Sequence, residues 1–431
     1  MALLIKNARL VDPAVGLDGV GDVRIADDGT IAEVGRDLPA NGCDVRDLTG
    51  RVLVPGLVDC HVHLREPGLE HKETIFTGTL AAAYGGFTDI CSMPNTVPET
   101  DNADVIEFVK AQAEKAGHCH VHPSGACTKG RKGEALAEMG DMAAHGAVAF
   151  TDDGMGVQDA GMMRRVMDYA KQFGKVVMSH CQDMSLSAGG QVNEGAASTR
   201  LGLTGWPAAA EEVQIERDIL ISELTGCPIH IQHLTTRHAM DIVRAGKARG
   251  AQVTCEVTPH HMFLNEDDIQ EDYNTNLKVN PPLRTPEDNE AVIEGVLDGT
   301  VDIIVTDHAP HAAHEKDREF ELAPNGMIGI ETSLPSVLTW LVRPGRIDYN
   351  RMVELMAINP RTILGIPQVK LEPGSVADLT AFDPDKEWDC TPDCFHSKSN
   401  NSGFIGRHFV GKATDTFVAG KPVLVEGEVS E

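Results

Sequence analysis

Asp59, His61 and His63 fall at alternate positions directly after the apolar run Val52-Leu53-Val54-Pro55-Gly56-Leu57. In an extended strand successive side chains point to opposite faces, so these three emerge together while Cys60 and Val62 face the other way. Two imidazoles so placed can chelate one metal ion. At the end of a barrel strand they would open into its mouth, within reach of loops, substrate and water. A pair of hydrogen-bonded strand histidines is the plainer reading of the same spacing, and the rest of the chain must decide between them.

The elements that would position such a site are legible as a repeating beat. Short apolar strands are predicted from Val58, at Gly86–Cys91, His120–Gly125, Ala147–Phe150, Val176–Ser179, Ile229–Gln232, Gln252–Val257 and Asp302–Thr306. Helical patterns intervene, over about 102–116, about 131–144 and Pro207–Leu224. Eight βα units with right-handed crossovers close into a TIM barrel, which carries its chemistry at the C-terminal strand ends. An open doubly wound sheet would show a Gly-rich fingerprint after its first strand, and the chain has none there. Residues 3–54 and 371–427 read differently, as short alternating segments with a hairpin signal at Asp28-Gly29, and they are expected to pair into one small sheet domain.

Composition narrows the function classes. The 431 residues are 42% hydrophobic, enough for a large core and against disorder. The net charge is -28, from 65 acidic against 37 basic residues, which makes nucleic acid and anionic membrane poor partners. The first residues lack the apolar core of a signal peptide and no stretch reaches the ~20 apolar residues of a membrane span, so a cytoplasmic protein is expected. The 10 cysteines form no CxxC pair and suit a reducing compartment. Cys390 and Cys394 would need two more soft ligands for zinc, and only His396 is near.

Polar residues at the predicted strand ends supply what the first pair lacks. They are His61 and His63, then Thr151-Asp152-Asp153-Gly154, His180, His233, and Thr306-Asp307-His308-Ala309-Pro310-His311. Imidazole and carboxylate together suit zinc better than magnesium. His118, His120 and His122 repeat the alternating pattern, but Pro123 and Gly125 follow and no acidic residue accompanies them, so they are read as interior or surface histidines. Thr258-Pro259-His260-His261 is expected to shape a loop beside the site.

Taken together these segments resemble the cyclic amidohydrolases, and among them the bacterial class I dihydroorotases. The resemblance runs over nearly the whole length and is carried by Asp59–Gly68, Met93-Pro94-Asn95-Thr96, Ala149–Gly154, Asn280-Pro281-Pro282-Leu283-Arg284 and Thr306–His311. It implies a (β/α)8 barrel over 55–365, with a small β-sandwich built from 1–54 and 366–431. It also implies Zn2+, one or two ions with a binuclear site favoured: His61, His63 and Asp307 on one, His180 and His233 on the other, Asp153 bridging. The residues alone leave Asp152 and Asp153 both open as the ligand. Hydantoinases, allantoinases and the other dihydroorotase class place a carbamylated Lys at this strand end, whereas Ala147–Gly154 contains no Lys.

The resemblance further implies interconversion of N-carbamoyl-L-aspartate and L-dihydroorotate in pyrimidine biosynthesis. Asp307 would take the proton of the attacking water and pass it to the departing ring nitrogen. His63, Arg65, Asn95, Asn280, His311, Asn325 and Gly326 would bind substrate, with Arg65 gripping a carboxylate; a surface pair between Arg65 and Glu66 is the alternative. The family commonly has an aromatic residue where Asn325 stands. Residues 309–320 follow the catalytic strand and are placed to act as a lid. A homo-oligomer is expected, and aspartate carbamoyltransferase is a candidate partner. The competing readings are a hydantoinase or allantoinase, and a non-catalytic scaffold for that transferase, which would have lost its metal histidines.

Overall fold

Alternating strands and capped helices make up the computed structural model, which describes residues 2–429. Five strands come first: β1 (Leu3–Asp12), β2 (Leu17–Ile25), β3 (Ile31–Gly35), β4 (Asp44–Asp47) and β5 (Val52–Pro55). A parallel series follows, with β6 (Leu57–Val62), β7 (Phe87–Ser92), β8 (His120–Pro123), β9 (Ala149–Phe150) and β10 (Val176–Ser179). After the small loop pair β11 (Val192–Asn193) and β12 (Gly205–Trp206), it resumes with β13 (Ile229–Ile231), β14 (Val253–Val257) and β15 (Ile303–Ile304). The chain closes with β16 (Leu379–Asp389), β17 (His408–Val418), β18 (Lys421–Val425) and β19 (Glu428–Val429).

The fold is α/β. Among the described residues, β6, β7 and β8 form one parallel sheet and β9, β10, β13, β14 and β15 another. Single parallel bridges join them, Gly125 to Phe150 and Val62 to His308. Each of the strands expected in the middle of the chain is present. The last is shorter than expected, because Thr306 gives its N–H (3.2 Å) and its hydroxyl (2.5 Å) to the Asp59 carboxylate rather than to a neighbouring strand.

Helices form where the sequence supplies both a cap and a stripe. Asn102 accepts the Val105 N–H at the start of Ala103–Ala116, Val105, Ile106, Val109 and Ala113 bury one face, and Gly117, at φ 70°, ends it. The helix expected over 131–144 is confined to Met139–His145. The preceding stretch is held as a loop: Gly133 N–H reaches Thr128 Oγ1, Ala137 N–H reaches Cys127 O, and Thr128 bridges to Leu136. Local hydrogen bonds of this kind compete directly with helix formation.

Both chain ends enter one sheet, in the order β19-β18-β17-β16-β5-β1-β2-β3, with β4 on β1. The hairpin expected at Asp28-Gly29 joins β2 to β3. Strand β5 lies between the two ends, antiparallel to β16 and parallel to β1. This sheet packs its own core, including Leu10, Val23, Leu53, Leu379 and Phe417, apart from the larger core around the parallel strands. Each such side chain contributes roughly 1.5–3 kcal/mol on burial. No helix among the described residues is long and apolar enough to cross a membrane.

Candidate active site

The C-terminal ends of the parallel strands converge on a cavity of about 280 Å3. His63, Arg65, Asn95, Asp153, His180, His233, Asn280, Asp307, His311, Asn325 and Gly326 line it, and His61 lies buried behind His63. Lining residues separated by as much as 263 positions, from His63 to Gly326, are therefore brought to one place.

Two carboxylates sit among four imidazoles. His63 Nε2 is 3.0 Å from Asp307 Oδ1, and His61 Nε2 is 3.4 Å from the same oxygen. Asp153 faces all four rings, 3.3 Å from His61 Nε2, 3.5 Å from His63 Nε2, 3.5 Å from His180 Nδ1 and 4.0 Å from His233 Nε2. His180 Nδ1 also lies 2.8 Å from His233 Nε2. Asp152 turns away, its carboxylate taken by Cys127 and Thr128, so of the two neighbours only Asp153 enters the cluster.

The electrostatics follow from this crowding. Burial disfavours charge on His61, but Asp153, Asp307 and Glu256 more than offset it and pull the ring well above its ordinary pKa. Burial drives His233 down to about 3, with His180 and His61 adding to the effect. Burial likewise opposes ionisation of Asp153 and Asp307, yet His61 and the neighbouring rings hold both well below the usual carboxylate range. Among the described residues, buried His61 Nε2 and Asp153 Oδ1 have no hydrogen-bond partner. Buried polar atoms are seldom left so. Ligand atoms of His61, His63 and Asp307 lie within 4.8 Å of one another, as do those of His61, Asp153 and His233. The donor set, the spacing and the orphaned atoms fit a cation.

The backbone is also under tension here. Arg65, His233 and Asp307 have φ of 62°, 32° and 47°, conformations that cost roughly 1–3 kcal/mol each in non-glycine residues and cluster at functional sites. Arg65 is buried and donates Nε–H to Pro310 O at 3.1 Å. It does not pair with Glu66, which accepts the Ile75 N–H instead. Gly326, at φ 131°, forms a close wall: a Cβ there would stand 2.8 Å from Ala309 Cβ and 3.1 Å from His311 Nε2.

Several contributors were not anticipated from sequence. Glu256 on β14 contacts His61 Nδ1 at 2.7 Å and His230 Nε2 at 2.9 Å, which fixes the His61 proton on Nδ1 and leaves Nε2 for the cluster. Its sequence signal is a lone carboxylate in a buried apolar strand. Gln182 meets both His180 Nε2 (2.9 Å) and Asn280 Nδ2 (3.0 Å). Asn401, from the C-terminal segment, accepts the His311 N–H and donates to Ala309 O and Gly326 O, and no local pattern marks it. His261 holds Pro281 O at 2.9 Å beside Asn280, the loop-shaping role expected of that segment. Cys390 and Cys394 lie with sulfurs 3.9 Å apart while His396 turns to Glu331.

Residues 50–239 match the family model described as dihydro-orotase-like. The dihydroorotase of Pelotomaculum thermopropionicum is 51% identical over 424 residues, 98% of this chain and 99% of that protein. The dihydroorotase of Acetivibrio thermocellus is 47% identical over the same shares. Among solved structures, the L-hydantoinase of Arthrobacter aurescens superposes with a TM-score of 0.89 at 27% identity, covering 100% of this chain and 97% of that one. The D-hydantoinase of a Thermus species gives 0.85 at 26%, covering 99% and 96%.

Proposed function

The chain belongs to the dihydroorotase family, and from that premise we propose that the cavity at the parallel strand ends is where the reaction takes place, with the residues in the roles below. The protein is a cyclic amide hydrolase, a dihydroorotase of pyrimidine biosynthesis. The observation that carries the reading is the meeting of His61, His63, Asp153, His180, His233 and Asp307 around two orphaned buried atoms. We take the eight parallel strands, joined by their two single bridges, as a closed (β/α)8 barrel over 55–365, and the sheet of 1–54 and 366–431 as the accompanying sandwich. His61, His63 and Asp307 would hold one Zn2+, His180 and His233 a second, with Asp153 shared. Zinc so held is a Lewis acid for the ring carbonyl and lowers the pKa of water.

The chain's own residues do the rest. Asp307 is kept ionised by the imidazoles around it, so its carboxylate can accept the proton of the attacking water and return it to the ring nitrogen as the amide bond breaks. Ring closure runs the same transfer backwards. Arg65 presents a permanent cation suited to the substrate carboxylate. Asn95 Oδ1 lies 2.8 Å from His63 Nδ1, which frees Asn95 Nδ2 to donate beside Arg65. Asn280 Oδ1 is buried without a partner among the described residues and can accept a substrate N–H. His311 gives its Nε2 proton to Asn325 O at 2.9 Å, so the cationic grip falls to Arg65. Purified protein is expected to contain zinc and to turn over L-dihydroorotate and N-carbamoyl-L-aspartate but not hydantoin or allantoin; preference for hydantoin, or no zinc, would overturn the assignment.

A further inference from the structure

Asn325 and Gly326 line the cavity, and the turn 320–326 that ends in them gives carbonyls to two lysines. Lys278 Nζ donates to Phe320 O (2.7 Å), Glu321 O (3.1 Å) and Ala323 O (2.8 Å), which uses all three ammonium protons on one turn. Lys316 Nζ donates to Pro324 O (2.9 Å) and Gly326 O (3.0 Å). The Asn325 carbonyl takes the His311 Nε2 proton. The two lysines are tied to each other's segments: Thr275 Oγ1 donates to Lys316 O at 2.6 Å, and Gly326 N–H to Lys278 O at 2.9 Å.

We propose that Lys278 and Lys316 are positioning residues of the substrate pocket, whose ammonium groups gather the 320–326 carbonyls and so hold Asn325 and Gly326 against His311 and Asn280. This deepens the function proposed above and rests on it. Neither lysine has a carboxylate as its hydrogen-bond partner among the described residues, and both are buried, at 4% and 6% exposure. Such cations are costly to bury. Burial pushes Lys278 down to about 8 and Lys316 down to about 7, Lys316 being further opposed by Lys278. An apolar side chain would fill the same space without that cost, so the cations are there for what they hold. The held turn sets the position of the His311 ring through Asn325 O, and Lys278 lies two residues before Asn280 on the same loop.

The test compares wild type with Lys278→Met and Lys316→Met for L-dihydroorotate turnover, metal content and thermal unfolding. Each variant is expected to raise KM by about tenfold, since misplacing a substrate-contacting wall by an ångström is enough for such an effect, while kcat and metal content stay within twofold. Unchanged KM in folded variants overturns the proposal, and so does a fall in kcat or metal with KM intact. If neither variant folds, acetylation of the unaltered protein decides: both lysines should resist N-hydroxysuccinimide acetate while exposed Lys129 reacts, and labelling at the Lys129 rate overturns the clamp. A wild type inactive on dihydroorotate would instead refute the proposed function, leaving the acetylation result to stand on its own.

Discussion

Two stretches of this chain carry histidines at alternate positions on parallel strands, and the structure gives them opposite surroundings. At the end of β6, His61 and His63 face Asp153 and Asp307 together, and His61 Nε2 is left without a hydrogen-bond partner among the described residues. At β8 each imidazole has a partner of its own. His118 meets Thr79 Oγ1 at 3.1 Å, His120 meets Asp378 at 3.3 Å, and His122 meets Asp89 at 2.8 Å. Spacing puts the rings on one face of a strand; what stands opposite decides whether they form a site or a set of structural pairs. Shared carboxylates and orphaned nitrogens make a place for a cation, whereas one-to-one pairing closes it.

The contrast can be broken most directly at Asp307. Asp307→Asn is expected to lower kcat for L-dihydroorotate by about 10²–10⁴-fold, the usual worth of general acid–base catalysis, with metal content retained. Near-normal turnover with metal in place would return Asp307 to the role of a ligand alone.

At the other run the largest effect should be on stability. Burial raises the Asp89 carboxyl, but the His122 hydrogen bond and the Arg361 guanidinium more than offset this and hold it well below its ordinary range. Arg361→Met leaves that buried carboxylate short of a cation and should cost about 3–5 kcal/mol in urea unfolding, with kcat per folded molecule unchanged. Because the folded Asp89 pKa is depressed, its stabilisation is complete above the ordinary carboxylate pKa near 4 and is lost as pH falls below it. A loss in Arg361→Met that does not shrink on acidification would contradict the pairing.

The smallest effect belongs to His120, whose side chain is 41% exposed. Its hydrogen bond to Asp378 raises its pKa. A group raised in the folded state stabilises fully below its unfolded value, near 6.5, and loses that contribution as pH rises through the folded value. His120→Ala should therefore cost under about 1 kcal/mol, more at pH 5.5 than at pH 8.5, with metal content untouched. A loss of metal in this variant would erase the distinction between the runs.

Much of this was readable in advance because strands, caps and turns are specified by neighbours in sequence. Val105, Ile106 and Val109 state a helix face, and Asn102 and Gly117 its ends, within sixteen residues. The helix expected at 131–144 fell short for the complementary reason: its first part is tied back to Cys127 and Thr128, which lie outside that stretch and are themselves held by the Asp152 carboxylate. Glu256 escaped notice because its partner His61 lies 195 positions off, and Asn401 because nothing near it in sequence hints at the His311 loop.

By itself, then, the sequence determined which residue types end the parallel strands, that their imidazoles and carboxylates suit a metal-assisted hydrolysis, and which family the chain resembles. Tertiary structure alone decided that Asp153 rather than Asp152 enters the cluster, that His120 and His122 are taken by Asp378 and Asp89, and that two lysines gather the carbonyls of the 320–326 turn. The reason is physical. A strand or helix period dictates the face on which a side chain emerges, but burial and partnership depend on which distant segments the packed core brings opposite that face.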